Sequence, residues 1–302
     1  MSERESTPGQ PLPPVDESAY APDSVRLCIA GSVIPAVVDG GTWSASFGLS
    51  WTDLMLHDQA VSQRIIRPGG QYLRKMAGTM GVAGGRNEII ARFLDSDAEW
   101  LFMIDSDMGF ERDTVDRLVA SAEANEAGVL GGLCFAQKLD TDVAQGPAYA
   151  NRFRIIPTLY EFVEIQETGE KGFRHIDRYK RDAFQEVAGT GAACLLLHRE
   201  VALAVGPEPF EPLRIPGAGG NGTARTYSED LSFCLRARAA GAKLGVDTSV
   251  KTSHYKGGIY LDEVQYAMQQ ETLIQAKGHE IARLAQWAAR QQAGPFGNVR
   301  SA

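Results

Sequence analysis

The chain has 302 residues, 44% hydrophobic and 23% charged, ordinary globular values that allow one large domain or two small ones. Its 30 basic and 38 acidic residues leave a formal net charge of −8 with no dense Lys/Arg block, which excludes a protein built mainly to grip nucleic acid, so no stable nucleic-acid binding is expected. No run approaches the ~20 apolar residues of a membrane span, and the four cysteines, none in a C-x-x-C pair, read as reduced thiols of a cytoplasmic protein.

Residues Met1–Asp23 are rich in Pro, Ser and Glu, carry no periodicity and hold no apolar signal-peptide core; a disordered tail is expected. Val25–Ala30 reads as a first buried strand, closed by Gly31-Ser32. Ala45–His57 reads as a helix, and Ser62–Arg67 as a short second strand broken by Pro68-Gly69-Gly70. Val82–Leu94 is helical, with Val82, Ile89, Ile90 and Phe93 on one face; Trp100–Ile104 is a third strand. Glu111–Asn125 is a helix with an apolar stripe of Val115, Leu118, Val119 and Ala122, and Gly128–Phe135 is a fourth strand. Strands alternating with helices imply right-handed crossovers and a mostly parallel sheet flanked by helices.

After Leu139 the rhythm changes. Arg154–Val163, His175–Tyr179 and Phe184–Val187 read as shorter, hairpin-linked strands, a smaller mixed sheet, followed by the apolar strand Ala192–His198. Gly217–Gly222 is a flexible loop, Ser228–Ala240 a helix capped by Gly241, and Lys243–Val246 a last short strand. Tyr260–Gln292 reads as a C-terminal helix with a break at Gly278. It carries Val264, Met268, Ile281, Leu284 and Trp287, which pack on its own body or on a second copy in a homo-oligomer. The expected organisation is a tail over 1–23, an α/β catalytic domain over 24–257 and a helical extension over 258–302.

The chemistry concentrates in a few short segments. Five apolar residues from Trp100 lead into Asp105-Ser106-Asp107. Side chains alternate along a strand, so both acids can face one way and Ser106 the other. Two carboxylates at the carboxyl end of a parallel strand make a hard-oxygen site for Mg²⁺ or Mn²⁺ and, through it, a diphosphate. The alternative is a helix-capping Asp beside a solvated one. Gly85-Arg86-Asn87 places a cation one turn before Ile90, facing a phosphate or base, or snorkelling past the helix end. Gly189-Thr190-Gly191-Ala192 would admit a ligand close to the backbone, or form a plain turn. Glu229 and Asp230 open a helix. Thr226 and Glu229 fit a capping box, which leaves Asp230 as a candidate general base. His254, on a loop after the last strand, is a candidate third metal ligand or a structural histidine.

In this order the segments resemble the glycosyltransferase A fold, in the compact variant related to family 2, over about residues 25–257. The resemblance implies a Rossmann-like nucleotide-sugar-binding fold and a metal-dependent transferase with Mn²⁺ or Mg²⁺. It would move a sugar from a nucleoside-diphosphate sugar, a UDP-sugar foremost, to an unidentified hydroxyl acceptor. It places Asp105 near the donor ribose or the metal, Asp107 on the metal with His254 helping, and Arg86 with Asn87 at the nucleotide. Ala30-Gly31-Ser32, with Ser106, would line the donor pocket, and Gly189–Gly191 would border sugar and acceptor. Asp230, with Glu229 beside it, would take the acceptor proton in an inverting reaction. The chain departs from the family in having Gly31-Ser32-Val33 where a Pro-Thr-like pair is usual, and no clear acid after the second strand. Rival readings are a non-catalytic binding module of the same fold, an Asp-x-Asp phosphatase, whose nucleophile normally follows the first strand, and a sugar-nucleotide pyrophosphorylase, whose phosphate loop needs a cation that Gly31–Pro35 lacks.

Overall fold

The computed structural model describes residues 28–67, 71–139 and 153–292; the expected tail, 1–23, lies outside them. The first half alternates β1 (Ile29–Asp39), α1 (Ala45–His57), β2 (Leu73–Met76), α2 (Gly81–Leu94), β3 (Ala98–Asp105), β4 (Met108–Phe110), α3 (Thr114–Asn125) and β5 (Val129–Leu133). Then come β6 (Phe135–Leu139), β7 (Phe153–Pro157), β8 (Leu159–Ile165), β9 (Glu170–His175), β10 (Phe184–Glu186), β11 (Gly189–Thr190) and β12 (Cys194–His198). The chain continues through α4 (Arg199–Ala204), β13 (Arg214–Ile215), β14 (Arg225–Thr226), α5 (Glu229–Ala239), β15 (Leu244–Lys256), β16 (Ile259–Leu261) and α6 (Glu263–Gln292).

The fold is α/β. A nine-stranded sheet has the order β10-β15-β5-β12-β3-β1-β2, with β4 and β16 paired to the far half of β15. β2, β1 and β3 run parallel, as do β5 and β15, while β12 is antiparallel between β3 and β5 and β10 antiparallel at the edge. The sheet is therefore mostly parallel. Three smaller ribbons among the described residues, β11-β8-β9, β6-β7 and β13-β14, stand apart from it, the first two in the region read as hairpin-linked strands.

Helices cover both faces, so the central strands are apolar on both. On one face Ile34, Ala36, Leu101 and Met103 pack with Ile89, Ile90 and Phe93 of α2. On the other Val33, Val37, Phe102 and Ile104 pack with Phe47 and Trp51 of α1 and Val115, Leu118 and Val119 of α3. Each such side chain, removed from water, stabilises the fold by roughly 1.5–3 kcal/mol.

Several elements differ from the sequence reading. Of the first strand read at Val25–Ala30, residues 25–27 lie outside the described residues; β1 spans Ile29–Asp39 and so runs well past Ala30. Gly31 and Pro35 look like breakers, but Gly31 (φ 71°) sits where the β1–β3 register shifts, and Pro35 lies inside the pairing opposite Phe102. Ser62–Arg67 is not a strand: Ile65 makes one isolated bridge to Val33, and β2 forms further on. The last strand is far longer than Lys243–Val246. β15 pairs β5, shifts register between Asp247 and Lys251, and then pairs β4 and β16, so His254 lies on a strand. α6 passes through Gly278 unbroken, with Tyr266 against Phe135 and the Gln269 side chain bonded to β7. Val264, Met268 and Ile281 are exposed on it. Val82, expected on the buried face of α2, is also exposed.

Candidate active site

β3 ends at Asp105, and the chain turns through Ser106 and Asp107 into β4. Because β4 pairs with β15, His254 stands opposite Met108, and the Tyr255 amide donates to the Asp107 carbonyl at 2.9 Å. Asp107 Oδ1 lies 3.3 Å from His254 Nε2, and Lys256 Nζ donates to Asp107 Oδ2 at 2.7 Å. His254 Nδ1 lies 3.0 Å from the Phe135 carbonyl. A carbonyl only accepts, so Nδ1 carries a proton; protonated on both nitrogens the ring pairs with Asp107 through Nε2, and only the neutral ring turns a lone pair there. Burial would raise the Asp107 carboxyl; its contacts with His254 and Lys256 outweigh that and hold it at about 2.

Asp107 Oδ1 and His254 Nε2 are both buried and face each other at ion-pair distance, with no further hydrogen-bond partner among the described residues. An Asp oxygen and an imidazole nitrogen this close, with the ring oriented by the Phe135 carbonyl, would hold a small dication such as Mn²⁺ or Mg²⁺ between them. No group of three or more His, Cys, Asp or Glu among the described residues is arranged to hold a metal, and Asp105, expected as a ligand beside Asp107 and His254, faces Arg86 instead.

Arg86 is the hub of the site. It is 3% exposed. Nη2 donates to both oxygens of Asp105 at 3.2 and 3.3 Å, and Nη1 donates to Asp230 Oδ1 and, at 3.4 Å, to Glu229 Oε1. The guanidinium also lies 5.5 Å from the Phe210 ring centroid. Burial lowers the Arg86 pKa, but the three carboxylates outweigh it and raise it, so the cation is permanent. Burial raises the Asp105 carboxyl above its ordinary value despite Arg86, with Asp230 and Asp107 adding to the rise. Arg86 thus faces acids of its own chain rather than open space for a nucleotide. The capping box does not form: Ser228 is the N-cap, without a side-chain bond, and Glu229 turns to Arg86.

The other expected residues divide. Gly189–Thr190 pairs with β8, and the following Ala193 carbonyl accepts the Asp105 amide at 2.9 Å, so this segment does reach the site. Its glycines serve packing: a Cβ on Gly189 would stand 2.8 Å from the Phe173 ring, and one on Gly191 3.3 Å from Thr158. Asn87 Oδ1 accepts the Phe210 amide at 2.9 Å and fixes that loop. Ser106, in the turn after β3, bonds to the loop before α1 rather than to the acids. Its hydroxyl donates to the Thr42 carbonyl and its carbonyl accepts the Ser44 amide, both at 3.1 Å.

Ala30, Gly31 and Ser32 are a correction. They lie at the start of β1, where Ile29 pairs with Ala98 and the Gly31 amide donates to Glu99, at the opposite end of the sheet from Asp105. The residue pairing with Asp105 is Val38, so the strand end is Asp39. Asp39 is fully buried. It accepts from the Gly41 amide at 2.7 Å, Trp43 Nε1 at 3.0 Å and Arg74 Nε at 2.7 Å. Trp43 is 39% exposed, with the Arg74 guanidinium 5.9 Å from its ring. The Ser106 bonds tie this loop beside the acids. Asp39, Trp43, Arg74 and Lys256 were missed from sequence. The apolar run Val33–Val38 ending in Asp39 was the available signal for the first three, and Lys256, two residues beyond His254, for the last. A separate 470 Å³ cleft, lined by Trp100, His198 and Lys243, lies away from the carboxylates.

No family model and no curated protein sequence matches the chain. Among solved structures it is similar to A197 from STIV, with 17% identity and a TM-score of 0.45, covering 76% of this chain and 90% of that one. It is also similar to GalNAc-T7 solved with UDP, GalNAc and Mn²⁺, with 10% identity and a TM-score of 0.46, covering 75% of this chain and 44% of that one. Both scores fall below 0.5, so the functional reading rests on the chain's own geometry. No described helix is long and apolar enough to cross a membrane.

Proposed function

We propose that this chain is a glycosyltransferase of the glycosyltransferase A type, related to family 2, that moves a sugar from a nucleoside-diphosphate sugar to a hydroxyl acceptor. The observation that carries this reading is the meeting, at one strand end, of Asp105 and Asp230 on the buried cation of Arg86 with the pair Asp107 and His254 two residues beyond Asp105. Asp107 Oδ1 and His254 Nε2 would hold Mn²⁺ or Mg²⁺. A bound dication supplies Lewis-acid neutralisation of the charge that grows on the leaving diphosphate.

Arg86 holds Asp230 and Asp105 at a fixed spacing, so the group that takes the proton and the group beside the donor ribose cannot drift apart. Asp230 takes the proton of the attacking hydroxyl, help worth about 10²–10⁴-fold, from the face opposite the diphosphate, which inverts the sugar. Trp43 offers an indole face to the nucleobase, with a UDP-sugar as the expected donor. The protein works in the cytoplasm, and the exposed face of α6 supports self-association.

The test is a panel of UDP-, GDP-, dTDP- and CDP-sugars, each with and without Mn²⁺, read by melting temperature and by release of nucleoside diphosphate. A metal-dependent shift, about 2.7 kcal/mol at 100 times the dissociation constant, together with release from one donor is expected. Neither shift nor release with any donor refutes the reading; a shift without release or transfer leaves a binding module instead.

A further inference from the structure

Lys256 is a cation at the donor site that the proposed reaction does not use. It ends β15 on the same strand face as His254, and its ammonium sits on Asp107 Oδ2 at 2.7 Å. Asp107 is thereby divided: Oδ2 holds Lys256, while Oδ1 faces His254 Nε2 and has no other partner among the described residues. The Lys256 side chain is 47% exposed. Beyond it the chain turns through Gly257 and Gly258, at φ 57° and 94°. A four-carbon stem in that setting lets the ammonium swing several Å while the backbone stays in place.

The charges explain why a cation belongs there. Asp105, Asp107, Glu229 and Asp230 are gathered at one edge, and Arg86 joins Asp105, Glu229 and Asp230 but not Asp107. A dication entering the notch between Oδ1 and Nε2 meets the ammonium across one carboxylate and is repelled by it. A diphosphate arriving with its donor offers that ammonium another set of anionic oxygens.

We propose, resting on the reading of Asp107 as a metal ligand, that Lys256 is a built-in counter-ion of the donor site. Its ammonium holds Asp107 before the donor binds, competes there with the dication, and passes to the leaving diphosphate once metal and donor are in place. One side chain then acts with opposite sign on two affinities. Removing it strengthens metal binding to the donor-free protein and weakens diphosphate binding to the metal-loaded one. A lysine that only braces the β15–β16 hairpin would weaken both.

Calorimetric titration of the full chain with Mn²⁺ alone tests the first half, on wild type, Lys256→Met, Lys256→Arg and Asp107→Ala. Lys256→Met is expected to bind Mn²⁺ about 5-fold more tightly, the scale of a half-exposed ion pair, and Lys256→Arg to stay near wild type. Titrating the Mn²⁺-loaded proteins with UDP and with GDP tests the second. Lys256→Met is expected to lose about 10-fold in affinity for the nucleotide that wild type binds, as for one charge-assisted bond. Unchanged or weaker Mn²⁺ binding by Lys256→Met overturns the proposal, as does undiminished nucleotide affinity. Asp107→Ala binding Mn²⁺ as well as wild type overturns the underlying metal assignment instead. Lys256→Gln, which keeps a polar end without the charge, should behave as Lys256→Met does.

Discussion

Replacing Arg86 by methionine removes the cation that joins Asp105, Glu229 and Asp230 and keeps a side chain of similar length. Arg86 is 3% exposed, while its acidic partners keep 25–32% of their side-chain surface in solvent. Removing one partner of a buried ion pair typically costs 3–5 kcal/mol. Partial hydration of the acids puts Arg86→Met at the lower end, about 3 kcal/mol. For a chain of this size that is a fall in melting temperature of roughly 5 °C. The pH dependence separates this cause from lost packing. Burial already raises the Asp105 carboxyl above its ordinary value, and without Arg86 it rises further. A carboxyl whose folded pKa exceeds its unfolded one makes the native state bind more protons, so stability increases as pH falls through that folded pKa. Urea unfolding of Arg86→Met and wild type over a pH series from 7 downward should show the gap between them shrinking as pH falls. A gap below about 1 kcal/mol at pH 7, or one equal across the series, refutes the argument that Arg86 is there to hold these charges.

Asp230→Asn keeps the shape beside Arg86 and removes the base, so donor binding should survive while turnover falls about 10²–10⁴-fold; retained turnover assigns the base elsewhere. The Asp107 carboxyl is held at about 2 in the folded protein. A depressed carboxyl contributes stability above its unfolded pKa of about 3.9 and loses it as pH falls toward 2, so Asp107→Asn should flatten the acid limb of a stability–pH curve between about 4 and 2. An unchanged limb excludes the native ion pair. Gly189→Ala drives a methyl to 2.8 Å from the Phe173 ring and should cost about 1–3 kcal/mol in a thermal melt; a neutral result means that β11 can shift. Trp43→Ala should weaken nucleotide binding about 10-fold or more, with equal affinity removing Trp43 from the base site.

Local pattern carried far in this chain. The run from Trp100 to Ile104 is apolar at every position because both faces of β3 are covered, and the two acids follow where the cover ends. The stripe Val115, Leu118, Val119 and Ala122 is buried as its period requires. These are consequences of period 2 and period 3.6, which a segment carries in its own residues.

What joins the site together is not local. Arg86 meets Asp230 across 144 positions of chain, and Lys256 meets Asp107 across 149. His254 and Lys256 reach Asp107 because β15 shifts register between Asp247 and Lys251 and leaves β5 for β4. The end of β1 at Asp39, and so the place of Trp43, depends on Gly31 and Pro35 being held inside a strand by their neighbours. Register and strand length are settled by both partners of a pairing and by the layer packed over them. The residue types and their order are therefore written in the sequence by itself, whereas which carboxylate faces which cation was decided only when the sheet closed.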